Sequence, residues 1–224
     1  SMHMFSREKG FYGGHGIVGA QVPIGTGLAF AHKYKKDGGV CFTYFGDGAA
    51  NQGQVYESFN MASLWQLPVV FVIENNKYAM GTSVARGSAS PDFVHRGDPY
   101  TNMKCISVDG MDVEAVRSAG LEAVDYTRAG HGPVLMEVHT YRYRGHSMSD
   151  PAKYRTKEEL QKMRAEHDPI DRLRAHLLDR KALDDDAFKA IDKEIKDVVM
   201  ASAEFAQKSP EPHPDELWTD ILVA

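Results

Sequence analysis

Polar residues that could bind a metal ion follow two consecutive apolar runs of the chain. Asp47 lies in a GDG turn that ends the run 40–45, and Asn76 closes an asparagine pair that ends the run 68–74. In an open parallel sheet, ligands bind beyond the carboxyl ends of the strands, so these two side chains are expected to face one another across a crevice. A carboxylate and a carboxamide supply oxygen ligands suited to Mg²⁺ or Ca²⁺, with positions left for phosphate oxygens.

The residues after Asp47 extend this interpretation to a diphosphate. Gly48 and Ala49 lie at an expected helix start, where free backbone N–H groups and the helix dipole favour an anion. A lone GDG is a common turn, and an Asp after a strand is more often a capping residue than a ligand. The pair is more informative, because the 26 residues between Gly48 and Asn75 contain one helix and one apolar run. The pattern therefore indicates a magnesium-bridged diphosphate site.

Alternating strand and helix patterns position these residues. The runs 40–45, 68–74 and 134–140 are typical of buried strands, while apolar residues recur at helical spacing in 51–65 and after Gly110. Strands that alternate with helices predict an α/β fold, with a mostly parallel sheet and helices on both faces.

The rest of the chain predicts a helical appendage. Residues 156–208 are charged and helix-favouring with an apolar stripe, and prolines from Pro210 onward end the helix. We expect one domain, with the α/β core at 1–150 and its C-terminal helical appendage at 151–224. Because the glycine-rich loop 10–19 has almost no sequence before it, we expect the N-terminal part of the core to be missing.

Composition excludes several classes of protein. The formal net charge is −5, so no basic field attracts nucleic acid. Cys41 and Cys105 are the only cysteines and lie in no CxxC or Cys/His array, so we expect neither a disulfide framework nor a zinc site, and a reducing compartment. The apolar runs are too short to span a bilayer and no signal pattern opens the chain, which favours an intracellular protein without a membrane partner.

The chain also resembles a known family along nearly its whole length. The stretch from GDG to the asparagine pair is similar to the thiamine-diphosphate motif. FYGGHGIVGAQVPIGTGLAFA, GPVLMEVHTYRYRGHSMSDPAKYRT and SPEPHPDELW resemble alpha subunits of thiamine-diphosphate-dependent 2-oxo acid dehydrogenases, the pyruvate enzymes in particular. The fold implied by this resemblance is the thiamine-diphosphate-binding fold.

The resemblance assigns roles to residues of the motif. It implies that Mg²⁺ is bound by the side chains of Asp47 and Asn76 and by the backbone carbonyl of Tyr78. It places thiamine diphosphate against Gly16, Val18, Gly46, Gly48, Ala49, Asn76 and Met80. Met80 is expected to be an apolar wedge that bends the cofactor, so that its aminopyrimidine lies against the thiazolium ring; plain core filling is the alternative.

A polar loop after the third predicted strand is expected to be functional. Residues 141–151 (YRYRGHSMSDP) are rich in polar, basic and small side chains. By resemblance, His146 is the catalytic residue at the active-site mouth, assisting the substrate or the incoming lipoyl group; an ordinary surface histidine is the alternative. Ser147 matches a regulatory phosphorylation position of mitochondrial enzymes, where a phosphate would disorder the loop. Lys153 stands where those enzymes carry a second phosphorylatable Ser, which favours a bacterial source.

The implied function is oxidative decarboxylation of pyruvate, with transfer of the acetyl group to lipoyl on a transacetylase core. In this family a beta subunit supplies the carboxylate that relays a proton to the cofactor, so activity is expected only in an alpha-beta heterotetramer, in the bacterial cytoplasm or the mitochondrial matrix.

The sequence also allows other functions than the decarboxylation of pyruvate. Branched-chain 2-oxo acid and acetoin enzymes share the motif, and an inactive scaffolding fragment is a further alternative. A magnesium-dependent phosphohydrolase ranks last, because no second carboxylate lies in the motif at a suitable spacing. The charged face of 156–208 is expected to be solvated rather than to dock the transacetylase.

Overall fold

A computed structural model of the chain describes residues 3–219. Its strands are β1 (Cys41–Gly46), β2 (Val69–Asn75), β3 (Tyr78–Ala79), β4 (Thr82–Ser83), β5 (Lys104–Asp109) and β6 (Val134–His139). Four of them form one sheet in the spatial order β1-β2-β6-β5, in which all neighbours are parallel. The other two, β3 and β4, form a short antiparallel hairpin.

α-Helices lie before, between and after these strands. They are α1 (Gln21–Lys35), α2 (Gly53–Leu64), α3 (Val84–Gly87), α4 (Val113–Arg128), α5 (Lys157–His167), α6 (Pro169–Asp179) and α7 (Asp185–Lys208). Short 3-10 turns cover Arg7–Lys9, Ala49–Asn51, Val94–Gly97 and Pro214–Trp218.

The sheet separates two apolar clusters, which confirms the predicted α/β class with helices on both faces. Successive side chains of β2 point to opposite sides, as the pleat requires. Phe71 and Ile73 pack with the buried faces of α1 and α2, whereas Val70 and Val72 pack with α4. Phe59 of α2 is fully buried, and its ring centroid lies 4.7 Å from that of Phe71.

Three predicted strands correspond to β1, β2 and β6, and two predicted helices correspond to α2 and α4. The sequence did not predict α1 or β5. In α1, Pro23, Gly25 and Gly27 weaken the helical pattern. One of these glycines is needed for packing, since a Cβ on Gly25 would lie 2.7 Å from the Cβ of Thr43 in β1. The edge strand β5 is only partly buried, so it lacks the continuous apolar run of a central strand.

The chain divides into two compact units, Ser1–Arg172 and Leu173–Ala224. The division falls inside α6, and the expected single domain with a boundary after residue 150 stays a prediction. In the second unit α7 ends at Lys208, shortly before Pro210. No helix among residues 3–219 has the length and hydropathy needed to cross a bilayer. Cys41 and Cys105 are free cysteines, and burial raises the pKa of each thiol to about 11.

Candidate metal and diphosphate site

The structure places Asp47 and Asn76 at the same edge of the sheet. In the β1–β2 ladder Gly46 pairs with Glu74, so Asp47 and Asn75 leave the two strands side by side. Adjacent strands are about 4.8 Å apart, which puts both turns within reach of one bound ion. This edge is the carboxyl end of the parallel strands, where ligands bind in open α/β sheets.

Asp47 is a buried carboxylate with positive charges around it. Asp47 is only 3% exposed, and this burial raises the pKa of its carboxyl group. Its own backbone amide, the amide of Asn76, and the charges of Arg142 and Lys77 act in the opposite direction. A carboxylate in such surroundings favours a bound cation, because the positive charge offsets the cost of desolvating the negative one.

Two side-chain turns shape the segment after β2. The Oδ1 atom of Asn75 accepts a hydrogen bond from the amide of Lys77 at 3.2 Å, and Oδ1 of Asn76 accepts one from the amide of Tyr78 at 3.3 Å. Lys77 has a left-handed backbone, with φ of +73°. Asn side chains commonly bond the backbone two residues on and so stabilise tight turns. The turn fixes the positions of Oδ1 of Asn76 and the carbonyl of Tyr78.

A guanidinium group contacts both of these oxygens. Nη2 of Arg142 donates to Oδ1 of Asn76 and to the carbonyl oxygen of Tyr78, each at 3.1 Å. Two of the three oxygens predicted to hold Mg²⁺ therefore face one cationic group. Here the guanidinium nitrogen is a stand-in for a cation, and its position indicates that these residues suit a positively charged ligand.

The GDG turn meets the β3–β4 hairpin closely. A Cβ atom on Gly48 would lie 2.5 Å from the Cβ of Ala79, so only glycine allows this approach. The expected helix start at Gly48 and Ala49 needs correction: a 3-10 turn, Ala49–Asn51, comes first, and α2 begins at Gly53. The cause is local, since Gln52 has an extended backbone and separates the turn from the helix.

The predicted cofactor residues near the start of the chain lie in a loop before α1. Gly16 and Val18 are exposed. The carbonyl of Val18 accepts a hydrogen bond at 3.2 Å from Nε2 of Gln54, in the first turn of α2. This bond connects the loop to the segment that follows the GDG turn, although the role of Gly16 and Val18 stays a prediction.

Met80 lies at the tip of the β3–β4 hairpin. It is 58% exposed and has a positive φ of +52°, which non-glycine residues rarely adopt. The alternative of plain core filling therefore does not fit this side chain. An exposed thioether on a strained backbone, beside the turn that carries Tyr78, is compatible with a wedge against a ligand.

The loop that carries His146 is organised by Asp150. Oδ2 of Asp150 accepts hydrogen bonds from the amide of His146 at 2.7 Å and from the hydroxyl of Tyr154 at 2.8 Å, and Oδ1 accepts one from the amide of Ala152 at 2.9 Å. These bonds, that of the His146 amide first, lower the pKa of Asp150. The ring of Tyr154 packs against that of Tyr78, with centroids 4.9 Å apart. The loop is thus attached to the turn 75–78, called the metal turn below because it carries the predicted metal ligands Asn76 and Tyr78.

The two residues of this loop with a predicted role in catalysis or regulation are exposed. His146 and Ser147 are both exposed, and the hydroxyls of Ser147 and Ser149 lie 3.0 Å apart. Exposure fits both the catalytic and the surface interpretations of His146. It also leaves Ser147 accessible to a modifying enzyme.

Sequence reasoning missed two residues that hold the turn. Arg142 belongs to the loop that was singled out, but its contacts span more than sixty positions of the chain. Glu137 is 1% exposed, and it accepts hydrogen bonds from Nδ2 of Asn75 at 2.7 Å and from the amide of Val94 at 2.8 Å. A Glu within the apolar strand VLMEVH was a usable signal, because buried carboxylates require partners.

The donor set is that of a hard cation rather than of zinc. Among the described residues, no group of three or more His, Cys, Asp or Glu side chains suits a metal ion. The oxygens at this edge of the sheet are one carboxylate, one carboxamide and one backbone carbonyl, and two of them share the Nη2 atom of Arg142. Mg²⁺ typically binds one or two protein carboxylates and completes its shell with water and phosphate.

Comparison with known proteins assigns the chain to a family. The model of the dehydrogenase E1 component family matches residues 1–215. The chain belongs to the dehydrogenase E1 component family. Its fold, a parallel sheet between helices, is consistent with that membership.

Relatives within the E1 component family share more than half of their aligned residues with this chain. The pyruvate dehydrogenase E1 component subunit alpha of Rhizobium meliloti (strain 1021) is 62% identical over 223 residues, and that of Zymomonas mobilis subsp. mobilis is 56% identical over 223 residues. The mitochondrial protein of the same name from Dictyostelium discoideum is 53% identical over 224 residues. These alignments cover all of this chain but 64%, 62% and 58% of the three relatives.

Proposed function

We propose that this chain supplies the metal and thiamine-diphosphate site of an E1 component alpha subunit that acts on pyruvate. The observation that carries the proposal is that Asp47 and Asn76 follow adjacent parallel strands at one edge of the sheet, where Oδ1 of Asn76 and the carbonyl of Tyr78 contact the same guanidinium nitrogen. Similarity at 62% identity to a pyruvate dehydrogenase E1 alpha subunit supports the choice of reaction.

The GDG turn and the metal turn are together proposed to bind a diphosphate through Mg²⁺. Asp47 supplies the charged oxygen, and Asn76 and Tyr78 supply neutral ones. Gly46 and Gly48 add no side chains beside that of Asp47, so that backbone groups from Gly48 and Ala49 can approach phosphate oxygens. Glu137 orients Asn75 and thereby holds the turn in place.

Thiamine diphosphate, when bound, supplies the carbon nucleophile and electron sink needed to decarboxylate a 2-oxo acid. The backbone of Gly16 and Val18 is proposed to position its pyrimidine ring, and Met80 to enforce its bent shape. His146 is proposed to act at the entrance, as a proton donor or acceptor for the substrate or the lipoyl group.

The partner and the compartment are part of the same proposal. The chain is proposed to act with a beta subunit as a heterotetramer and to pass its acetyl group to lipoyl on a transacetylase core. Relatives include bacterial proteins and a mitochondrial one, so the proposed compartment is the bacterial cytoplasm or the mitochondrial matrix.

The test is thiamine-diphosphate- and Mg²⁺-dependent decarboxylation of pyruvate by this chain co-expressed with its beta subunit. Asp47→Ala is expected to abolish activity and to weaken cofactor binding. Asp37→Ala is the matched control, because Asp37 is an exposed carboxylate that precedes the opposite end of β1. It should leave activity unchanged.

Different outcomes separate the alternatives. Turnover of branched-chain 2-oxo acids or acetoin in place of pyruvate would redirect the proposal to those enzymes. Equal activity of Asp47→Ala and wild type would refute the metal site. If this chain is inactive with its beta subunit while a longer chain is active under the same conditions, this chain is a scaffolding fragment.

A further inference from the structure

The side chain of Arg142 contacts two of the groups predicted to bind the metal ion. It comes shortly after β6, and its Nη2 atom donates at 3.1 Å to both Oδ1 of Asn76 and the carbonyl oxygen of Tyr78. Its charge also favours the ionised form of Asp47. One guanidinium group thus contacts two of the three groups to which the proposed function assigns Mg²⁺, and its charge acts on the third.

The guanidinium is not completely satisfied in this position. Nη1 of Arg142 is buried and has no hydrogen-bond partner among the described residues. An arginine that served as a permanent structural bridge would be expected to have each buried donor paired, as almost all buried polar groups do. The unpaired nitrogen indicates an arrangement that a better partner can replace.

Asp150 lies close to this arrangement. Its Oδ2 atom accepts a hydrogen bond from the hydroxyl of Tyr154, whose ring packs on that of Tyr78. Hydrogen bonds, that of the His146 amide first, lower the pKa of Asp150, and the charge of Arg142 acts in the same direction. Asp150 binds the loop of His146 through three hydrogen bonds. A guanidinium that leaves the metal turn therefore has a carboxylate at hand.

A divalent cation and this guanidinium compete for the same oxygens. Mg²⁺ binds its ligands at about 2.1 Å, much closer than the guanidinium nitrogen lies, and it requires near-octahedral access to them. Two cations that shared Asn76 and Tyr78 would repel one another strongly in a site as poorly hydrated as that of Asp47. Simultaneous occupancy is therefore unfavourable.

We infer that Arg142 is an internal counter-cation, which neutralises the metal turn when no divalent cation is bound and is displaced when one binds. This inference rests on the proposed function, because it takes Asp47, Asn76 and Tyr78 as the metal ligands. Its consequence is that wild-type affinity for the divalent cation is reduced by the fraction of molecules in which Arg142 occupies the turn.

The experiment measures binding of Mn²⁺ alone to the alpha-beta assembly, by electron paramagnetic resonance of the free ion. Arg142→Met removes the charge and the donors at similar length, and it is expected to bind Mn²⁺ about tenfold more tightly than wild type. Arg142→Lys, which keeps a positive charge, is expected to stay close to wild type. Arg144→Met is the matched control, since Arg144 is an exposed arginine of the same loop, and it should leave the affinity unchanged.

Asp47→Ala separates failure of this inference from failure of the proposed function. Loss of Mn²⁺ binding in Asp47→Ala, together with tighter binding in Arg142→Met, supports both. Loss in Asp47→Ala with equal or weaker binding in Arg142→Met overturns the counter-cation and makes Arg142 a positioning residue that stays on the turn. Unchanged binding in Asp47→Ala, or no binding to any variant including wild type, overturns both.

Folding of the variants is checked by near-ultraviolet circular dichroism and by Tm without metal. Should Arg142→Met fail to assemble, Arg142→Gln takes its place, because Gln keeps an amide donor but removes the charge. The same tightening is expected, and its absence contradicts the inference equally.

Discussion

The two compact units bury their apolar residues very differently. In Ser1–Arg172, side chains such as Phe59, Phe71 and Leu135 are fully buried around the sheet. In Leu173–Ala224, α7 runs for 24 residues without one buried residue among those described. Its apolar stripe is more than half exposed along its length, at Ile191, Ile195, Val198, Val199 and Phe205.

The difference shows that an amphipathic pattern and a buried core are separate properties. Both units have regular helices with acidic first turns and charged exposed faces, as for α4 and α7. In α7 the stabilising contacts are local, for example the i,i+4 pairs Lys193–Asp197 and Lys196–Asp192. Such exposed pairs contribute only about 0.3–0.5 kcal/mol each. Changes in the first unit should therefore affect stability far more than equivalent changes in the second.

The largest expected difference is between two phenylalanines. Phe59→Ala should destabilise the first unit by about 3–5 kcal/mol, because it removes a fully buried ring and leaves a cavity. Phe205→Ala, at a residue 77% exposed in α7, should change stability by less than about 0.5 kcal/mol. Urea unfolding followed by Trp65 fluorescence in a Trp218→Phe background reports the first unit, and circular dichroism at 222 nm adds the helices of the second. Equal losses for the two variants would contradict the comparison.

A second, somewhat smaller difference is expected between two glutamates. Glu137→Ala leaves Nδ2 of Asn75 and the amide of Val94 without their partner, at an expected cost of about 2–4 kcal/mol. Glu204→Ala removes only an exposed pair with Lys208, worth about 0.5 kcal/mol or less. The same unfolding measurement, with circular dichroism for the second unit, compares the two.

Glu137→Gln sharpens this test. It keeps one carbonyl oxygen for Asn75 and loses the other acceptor, so its stability should lie between those of wild type and Glu137→Ala. If Glu137→Ala is no less stable than Glu204→Ala, the buried hydrogen bonds of Glu137 do not support the metal turn.

The same contrast explains how much of the fold was predictable. Strands β1, β2 and β6 are short runs rich in apolar, β-branched and aromatic residues, so composition identifies them, including β1 at an edge of the sheet. The edge strand β5 is half exposed, so it has no apolar run that would identify it. Helix α1 contains residues that disfavour helices but allow close packing, so its helical pattern is weak. Local propensity does not report on packing against distant residues.

The sequence predicts only the part of the candidate site that follows from the order of the strands along the chain. Asp47 and Asn76 follow consecutive strands that prove to be adjacent, so their shared edge could be expected from the sequence. Arg142 and Glu137 reach the turn from β6 and the residues after it, and only the tertiary structure reveals those contacts. The roles of Gly16, Val18, Met80, His146 and Ser147 came from family resemblance and stay predictions.

The smallest expected difference lies between two helix caps of the same chemistry. Asp112 accepts a hydrogen bond from the amide of Ala115 at 3.0 Å at the start of α4, and Asp184 accepts one from Ala187 at 2.7 Å at the start of α7. Loss of a cap costs about 1 kcal/mol. Asp112→Ala should cost more than Asp184→Ala, because Asp112 also pairs with Arg172 at 3.1 Å.

Asparagine variants separate the effect of the capping hydrogen bond on stability from the effect of the negative charge. Asn caps helices as well as Asp, so Asp184→Asn should keep nearly all the helicity of α7 at 222 nm, whereas Asp184→Ala should fray its first turn. Asp112→Asn should lose only the ionic part of its contact with Arg172. If Asp184→Ala unfolds the second unit completely, the stability of that unit depends on few local contacts. The difference in stability between the two units is then larger than expected. If the asparagine variant at position 184 is as destabilised as the alanine one, charge at the first turn rather than capping stabilises α7.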